Sequence, residues 1–125
     1  MEIFIPGNCP SLKNSKRVVR LKNGRTVVLP PKTVDEYLRK HEWNYQTNKD
    51  KFRNECLKTV PPYKVGFYFK RDSKRRFDYI NAAQIVQDLM VKHGWIQDDN
   101  ADFLIPVFEG YEIDKDNPGV TIKLL

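Results

Sequence analysis

The chain has 125 residues, a net charge of +6, 40% apolar residues and 30% charged ones. That length suits one domain able to bury a real core without staples, and the balance of apolar and charged residues excludes a disordered chain. Its two cysteines, Cys9 and Cys56, form no CxxC and share no zinc-type spacing with a histidine, so two reduced thiols in a cytosolic protein are expected.

The opening stretch MEIFIPGNCP lacks the basic and long apolar regions of a signal peptide. No apolar run approaches membrane-spanning length, so a cytoplasmic protein with no membrane partner is expected. MEIFIP reads as a first strand, stopped by Pro6-Gly7, and a loop follows. RVVRL and RTVVLP are β-branched runs joined by Lys22-Asn23-Gly24, a hairpin signal, which puts their cations on an exposed ribbon.

From Thr33 to about Lys58 the pattern is helical. Thr33 with Glu36 reads as a capping box. The periodicity weakens through NYQTNKDK and resumes at Phe52, which predicts two helical pieces or one interrupted helix, ended by Pro61-Pro62. In YKVGFYFK, Val65, Phe67 and Phe69 alternate with Lys64, Gly66, Tyr68 and Lys70, the pattern of a half-buried strand. A loop, RDSKRRF, leads to a helix that starts near Asp78 or Tyr79 and stops at His93-Gly94, with Ala82, Ile85, Val86, Leu89 and Met90 as its apolar stripe. QDDNAD is a turn, and FLIPVFEGYEI and VTIKLL are two last strands joined by DKDNPG. Pro106 marks the first of these as an edge or a bulge. The order β, ββ, α, β, α, β, β predicts an α+β fold: a small mixed sheet with two main helices packed on it, in one domain over residues 1–125.

Charge is distributed unevenly. No acid lies between Ile3 and Val34, a stretch holding Lys13, Lys16, Arg17, Arg20, Lys22, Arg25 and Lys32. A second cationic run, KRDSKRR, spans Lys70 to Arg76, whereas Asp98 to Asp116 is strongly acidic. One charge run is ordinarily a solvated face. Two cationic runs in a basic domain point to a polyanionic partner, because clustered Lys and Arg gain affinity by releasing counterions from phosphates.

Phosphate loops of the GxxxxGK[ST] and GxGxxG types are absent, and neither His41 nor His93 sits in a catalytic context. The carboxylates remain. Taken singly, Asp78 reads as a helix N-cap and Asp98-Asp99-Asn100 as a turn. A helix of about fifteen residues spans roughly 22 Å, so Asp78 and Asp99 meet only if the chain folds back along the helix after Gly94. Beside the cations, a carboxylate set suits phosphodiester hydrolysis, in which Mg²⁺ is held by one or two carboxylates plus water and substrate oxygens.

RRFDYINAAQ and GWIQDD resemble the active-site segment of the RusA-type Holliday junction resolvases, small phage-encoded or prophage-derived endonucleases. The family pattern is Asp-x-Asp-Asn-x-x-Lys, a helix, then Gly-aromatic and Asp-Asp. Asp78, Asn81, Gly94, Trp95, Asp98 and Asp99 match it at the family's spacing, as do the preceding Lys74, Arg75 and Arg76. The specific match covers Arg75 to Asp99; PSLKNSKR and NGRT, within Pro10 to Thr26, resemble the family's N-terminal loop and basic hairpin more weakly. Ile80 stands where the family has its second aspartate, and Gln84 where it has a lysine. Ile80 lies off the apolar stripe, where it would pack on the sheet, a strand or a second subunit.

The resemblance implies a homodimeric, Mg²⁺-dependent (or Mn²⁺-dependent) endodeoxyribonuclease that resolves four-way junctions in recombination or repair, in a bacterial or phage-infected cell. Asp78 and Asp99 would bind the metal, and Asp98 and Asn81 would assist as ligands or by orienting water. Asp88 or Asp102 would compensate for the missing carboxylate. Lys74, Arg75 and Arg76, with Lys70 in the same run, would hold the scissile strand, and Lys13, Lys16, Arg17 and Arg25 the junction arms. The alternative is a catalytically impaired relative that binds branched DNA without cutting it.

Overall fold

The computed structural model describes residues 1–11, 17–29 and 32–125, except for the side chains of Arg17 and Leu29. Lys13 and Lys16, and the side chain of Arg17, therefore lie outside the described residues. In chain order the elements are β1 (Ile3–Pro6), β2 (Arg17–Arg20), β3 (Thr26–Leu29), α1 (Lys32–Thr47), α2 (Lys49–Cys56), β4 (Tyr63–Arg71), α3 (Tyr79–Lys92), β5 (Leu104–Ile113) and β6 (Gly119–Leu124). The class is α+β.

Four strands form one mixed sheet in the order β1-β6-β4-β5. β6 lies antiparallel to both β1 and β4, while β5 runs parallel to β4. Pro106 thus sits on an edge strand, where a missing N–H removes no essential ladder bond. A bulge at Glu109 shifts the β4–β5 register between Phe67 and Tyr68. β2 and β3 form a separate hairpin, with Val18 paired to Val28. Leu21 N–H donates to the Arg25 carbonyl at its turn, and Gly24 takes φ +82°, which a side chain would resist. Val18 and Val28 are exposed, as an outlying ribbon requires.

One sheet face is apolar. Ile3, Ile5, Val65, Phe67, Phe69, Val120 and Ile122 are buried there, in one cluster with Tyr37, Tyr45, Phe52, Val86, Met90 and Trp95 from the helices and the turn after α3. The helical stretch before β4 is split at Asn48. The Asn44 carbonyl accepts from the Asn48 backbone N–H at 3.2 Å and from its side-chain amide at 2.8 Å, and also from Thr47 Oγ1. Local side chains compete with the helix ladder there, and the axis resumes as α2. α1 begins at Lys32, so Thr33 lies inside its first turn and is not the cap expected from sequence. No helix among the described residues is long and apolar enough to cross a membrane.

Candidate active site

The candidate carboxylates flank α3, and the two ends of that helix explain their placement. At the start, Asp78 occupies the N-cap position with extended backbone (φ −102°, ψ 100°), and its carbonyl accepts from Ala82 N–H at 3.2 Å. Its carboxylate makes no capping hydrogen bond. Asp78 holds the position of a cap without spending its side chain as one.

At the other end, Gly94 takes φ +76°, the left-handed conformation that ends helices. Trp95 N–H reaches back to the Met90 carbonyl at 2.8 Å. The Trp95 ring then enters the core, stacks on Phe52 at 5.1 Å and donates from Nε1 to the Tyr45 carbonyl at 2.7 Å. Ile96 is buried beside it. Burial of these two side chains turns the chain back along α3, the reversal that the sequence spacing left open.

The reversal delivers Asp99 to the middle of the helix. Gln84 Nε2 donates to Asp99 Oδ2 at 3.1 Å and to Asp88 Oδ1 at 2.7 Å. One amide therefore lies between two carboxylates. Partial burial raises the Asp88 pKa above its ordinary 3.8, the Gln84 hydrogen bond opposes that rise, and the negative charge of Asp99 adds to it. Gln84 supplies hydrogen to both carboxylates but no charge. Asp78 stands six residues before Gln84, about 9 Å down the helix axis.

The other expected residues divide by what they touch. Asp98 closes a turn: Oδ1 accepts from Asp99 N–H at 2.7 Å and Oδ2 from Asn100 Nδ2 at 3.2 Å. Asn81 Nδ2 donates to the Ser11 carbonyl at 3.4 Å, tying the N-terminal loop to the helix. Ile80 is 73% exposed, so it packs on neither the sheet nor a strand of its own chain. Asp102 has its N–H bonded to Asn100 Oδ1 and its side chain exposed. Lys74, Arg75 and Arg76 are exposed on the loop before Asp78. Lys70 is turned to the opposite sheet face, 3.6 Å from Asp114 and over the Phe4 ring. Arg25 is exposed at the hairpin turn.

Among the described residues, no three His, Cys, Asp or Glu side chains converge to hold a metal ion. The two carboxylates brought nearest one another at α3 are Asp88 and Asp99, bridged by the Gln84 amide; Mg²⁺ asks for one or two carboxylates plus water and phosphate oxygens. Asp88 had a sequence signal only as a fallback; its pairing with Asp99 depends on the chain reversal. No protein-family model matches the sequence, and no curated protein matches it either.

Proposed function

We propose that this chain is a RusA-type, structure-specific endodeoxyribonuclease that uses Mg²⁺ or Mn²⁺ to cut branched DNA, the four-way junction above all, as a homodimer. The observation that carries the reading is the return of Asp99 onto α3, against Asp88 and Gln84. Asp88 and Asp99 would hold the cation. Asp78 is the third carboxylate, at the helix end that follows the cationic loop directly. When bound, the metal supplies a polarised water and neutralises charge on the phosphate. Asn81 fixes the N-terminal loop against the helix, and Asp98 fixes the turn that carries Asp99. Lys74, Arg75 and Arg76 position backbone phosphates.

A second reading rests on Gln84 and Ile80. A neutral amide between the carboxylates, beside an exposed isoleucine in place of an acid, suits a protein that binds branched DNA without cutting it.

One experiment separates them. Purified protein is given a labelled four-way junction and a matched linear duplex, each with Mg²⁺, Mn²⁺ or EDTA. Metal-dependent nicks on the junction, lost in Asp88→Asn and Asp99→Asn, support the nuclease. Tight junction binding by folded protein with no cleavage in either metal supports the binder and ends the nuclease reading.

A further inference from the structure

Beside the candidate active site lies a second feature, a cleft of about 390 Å³ between the N-terminal loop, α1 and the loop after β4. Its cations are Arg71, Arg75, Arg76 and Lys40, and its acids are Glu36 and Asp72, with His41 also on the wall. Among the described residues, four cations against two carboxylates leave it positive.

Arg71 is the unusual member. It continues the core face of β4 after Val65, Phe67 and Phe69, and it is only 6% exposed. Its guanidinium lies over the Phe77 ring at 4.6 Å. Nη1 donates to the Cys9 carbonyl and Nη2 to Ser11 Oγ, both neutral acceptors. Nε is buried and has no hydrogen-bond partner among the described residues. A buried charge without a bonded counter-ion is costly, and an incoming anion would relieve that cost. Ser11 ties the cleft to the candidate active site: its hydroxyl meets Arg71 and the Arg76 carbonyl, and its own carbonyl accepts from Asn81.

We infer that this cleft is a phosphodiester-binding subsite, with Arg71 at its base and Lys40 on its α1 wall, that holds a nucleic-acid backbone phosphate near the α3 carboxylates. The inference rests on the proposal that the protein binds nucleic acid. Guanidinium suits the role, because its planar fork matches phosphate oxygens. The subsite also gives α1, which carries none of the expected site residues, a direct contact with the strand.

The test is binding of a fluorescent four-way junction in EDTA, followed by anisotropy across a salt series. Lys40→Ala, on the exposed side of α1, should weaken binding about fivefold to tenfold and lower the salt slope by about one ion. Glu36→Gln should tighten binding, since it removes a negative charge from the same wall. Arg71→Lys, compared only after its melting curve matches wild type, should weaken binding while keeping the charge, because a lysine cannot present the same fork. Wild-type affinity and slope in all three variants would overturn the subsite and leave the DNA-binding proposal standing. Absence of junction binding by the wild type would overturn both.

Discussion

Gln84 and Asp99, fifteen residues apart, are joined by a 3.1 Å hydrogen bond, and the same amide nitrogen holds Asp88 at 2.7 Å. Two carboxylates therefore face one neutral donor on the side of α3. Without a cation, their mutual repulsion is a cost that the fold carries.

That cost can be measured without any substrate. Ionised Asp88 opposes folding, because its folded-state pKa is raised above 3.8. The opposition is present at neutral pH and fades as pH falls through the raised value. Asp88→Asn should therefore melt at or above the wild-type temperature in EDTA. With Mg²⁺ at ten times its dissociation constant, wild type should gain about 1.4 kcal/mol, roughly 5 °C in Tm, and Asp88→Asn and Asp99→Asn should gain much less. A lower melting point for Asp88→Asn in EDTA together with a full Mg²⁺ gain would sink the pair as a cation site.

Trp95 links packing to the site. Trp95→Phe keeps an aromatic ring on Phe52 but leaves the buried Tyr45 carbonyl without its donor. The expected loss is about 1–3 kcal/mol of stability. Junction cleavage should fall further than the unfolded fraction explains, since the return of Asp99 starts at this ring. Equal specific activity per folded molecule would show that the turn holds Asp99 without it.

Ile80 gives a test in the opposite direction. It is exposed in the first turn of α3, a turn that contains no acid. Ile80→Asp should leave Tm within a few degrees of wild type, because an acid near a helix N-terminus gains about 0.3–1 kcal/mol. With Gln84→Lys added, junction cleavage should rise. A large drop in Tm, or dissociation of a dimer on gel filtration, would mean that Ile80 is covered in the working assembly.

The thiols should be inert. Burial pushes Cys9 up to about 11, against the opposing hydrogen bond it makes to Tyr37 Oη at 3.3 Å. At pH 8 only about one Cys9 thiol in a thousand is then ionised. Cys56 is buried as well. A disulfide-exchange reagent should find neither cysteine within minutes in the native protein and both in guanidinium chloride. Rapid native reaction of one thiol would place it at the surface.

The elements were legible in the sequence wherever a local rule decided them. Asn23-Gly24 marked the hairpin, alternation marked β4, and the stripe from Ala82 to Met90 with Gly94 behind it marked α3. The candidate carboxylates could be named from the sequence, but not the contacts among them. Asp99 reaches Gln84 only because Trp95 and Ile96 are buried, and burial is a tertiary fact that spacing does not encode. Arg71 was hidden by its neighbours, since KRDSKRR reads as one solvated cluster. The parity of β4 was the available signal: Arg71 continues the face of Phe67 and Phe69, and Lys70 the other. Thr33 failed as a cap because a Thr-x-x-Glu pattern also fits the first turn of a helix that has already begun.

Ser11 is bonded to groups 60, 65 and 70 positions further along the chain. β1 waits longer still, because Ile3 pairs with Ile122 and Pro6 with Gly119. A chain emerging from the ribosome therefore exposes its N-terminal loop and an apolar strand long before their partners exist. The cleft can close only after the loop that follows β4 has been made, and the sheet only after β6. Contacts this distant in sequence slow folding and lengthen the exposure of unpaired edges. Nuclease chemistry, on the reading proposed here, would be withheld from the nascent chain until nearly all of it had been synthesised.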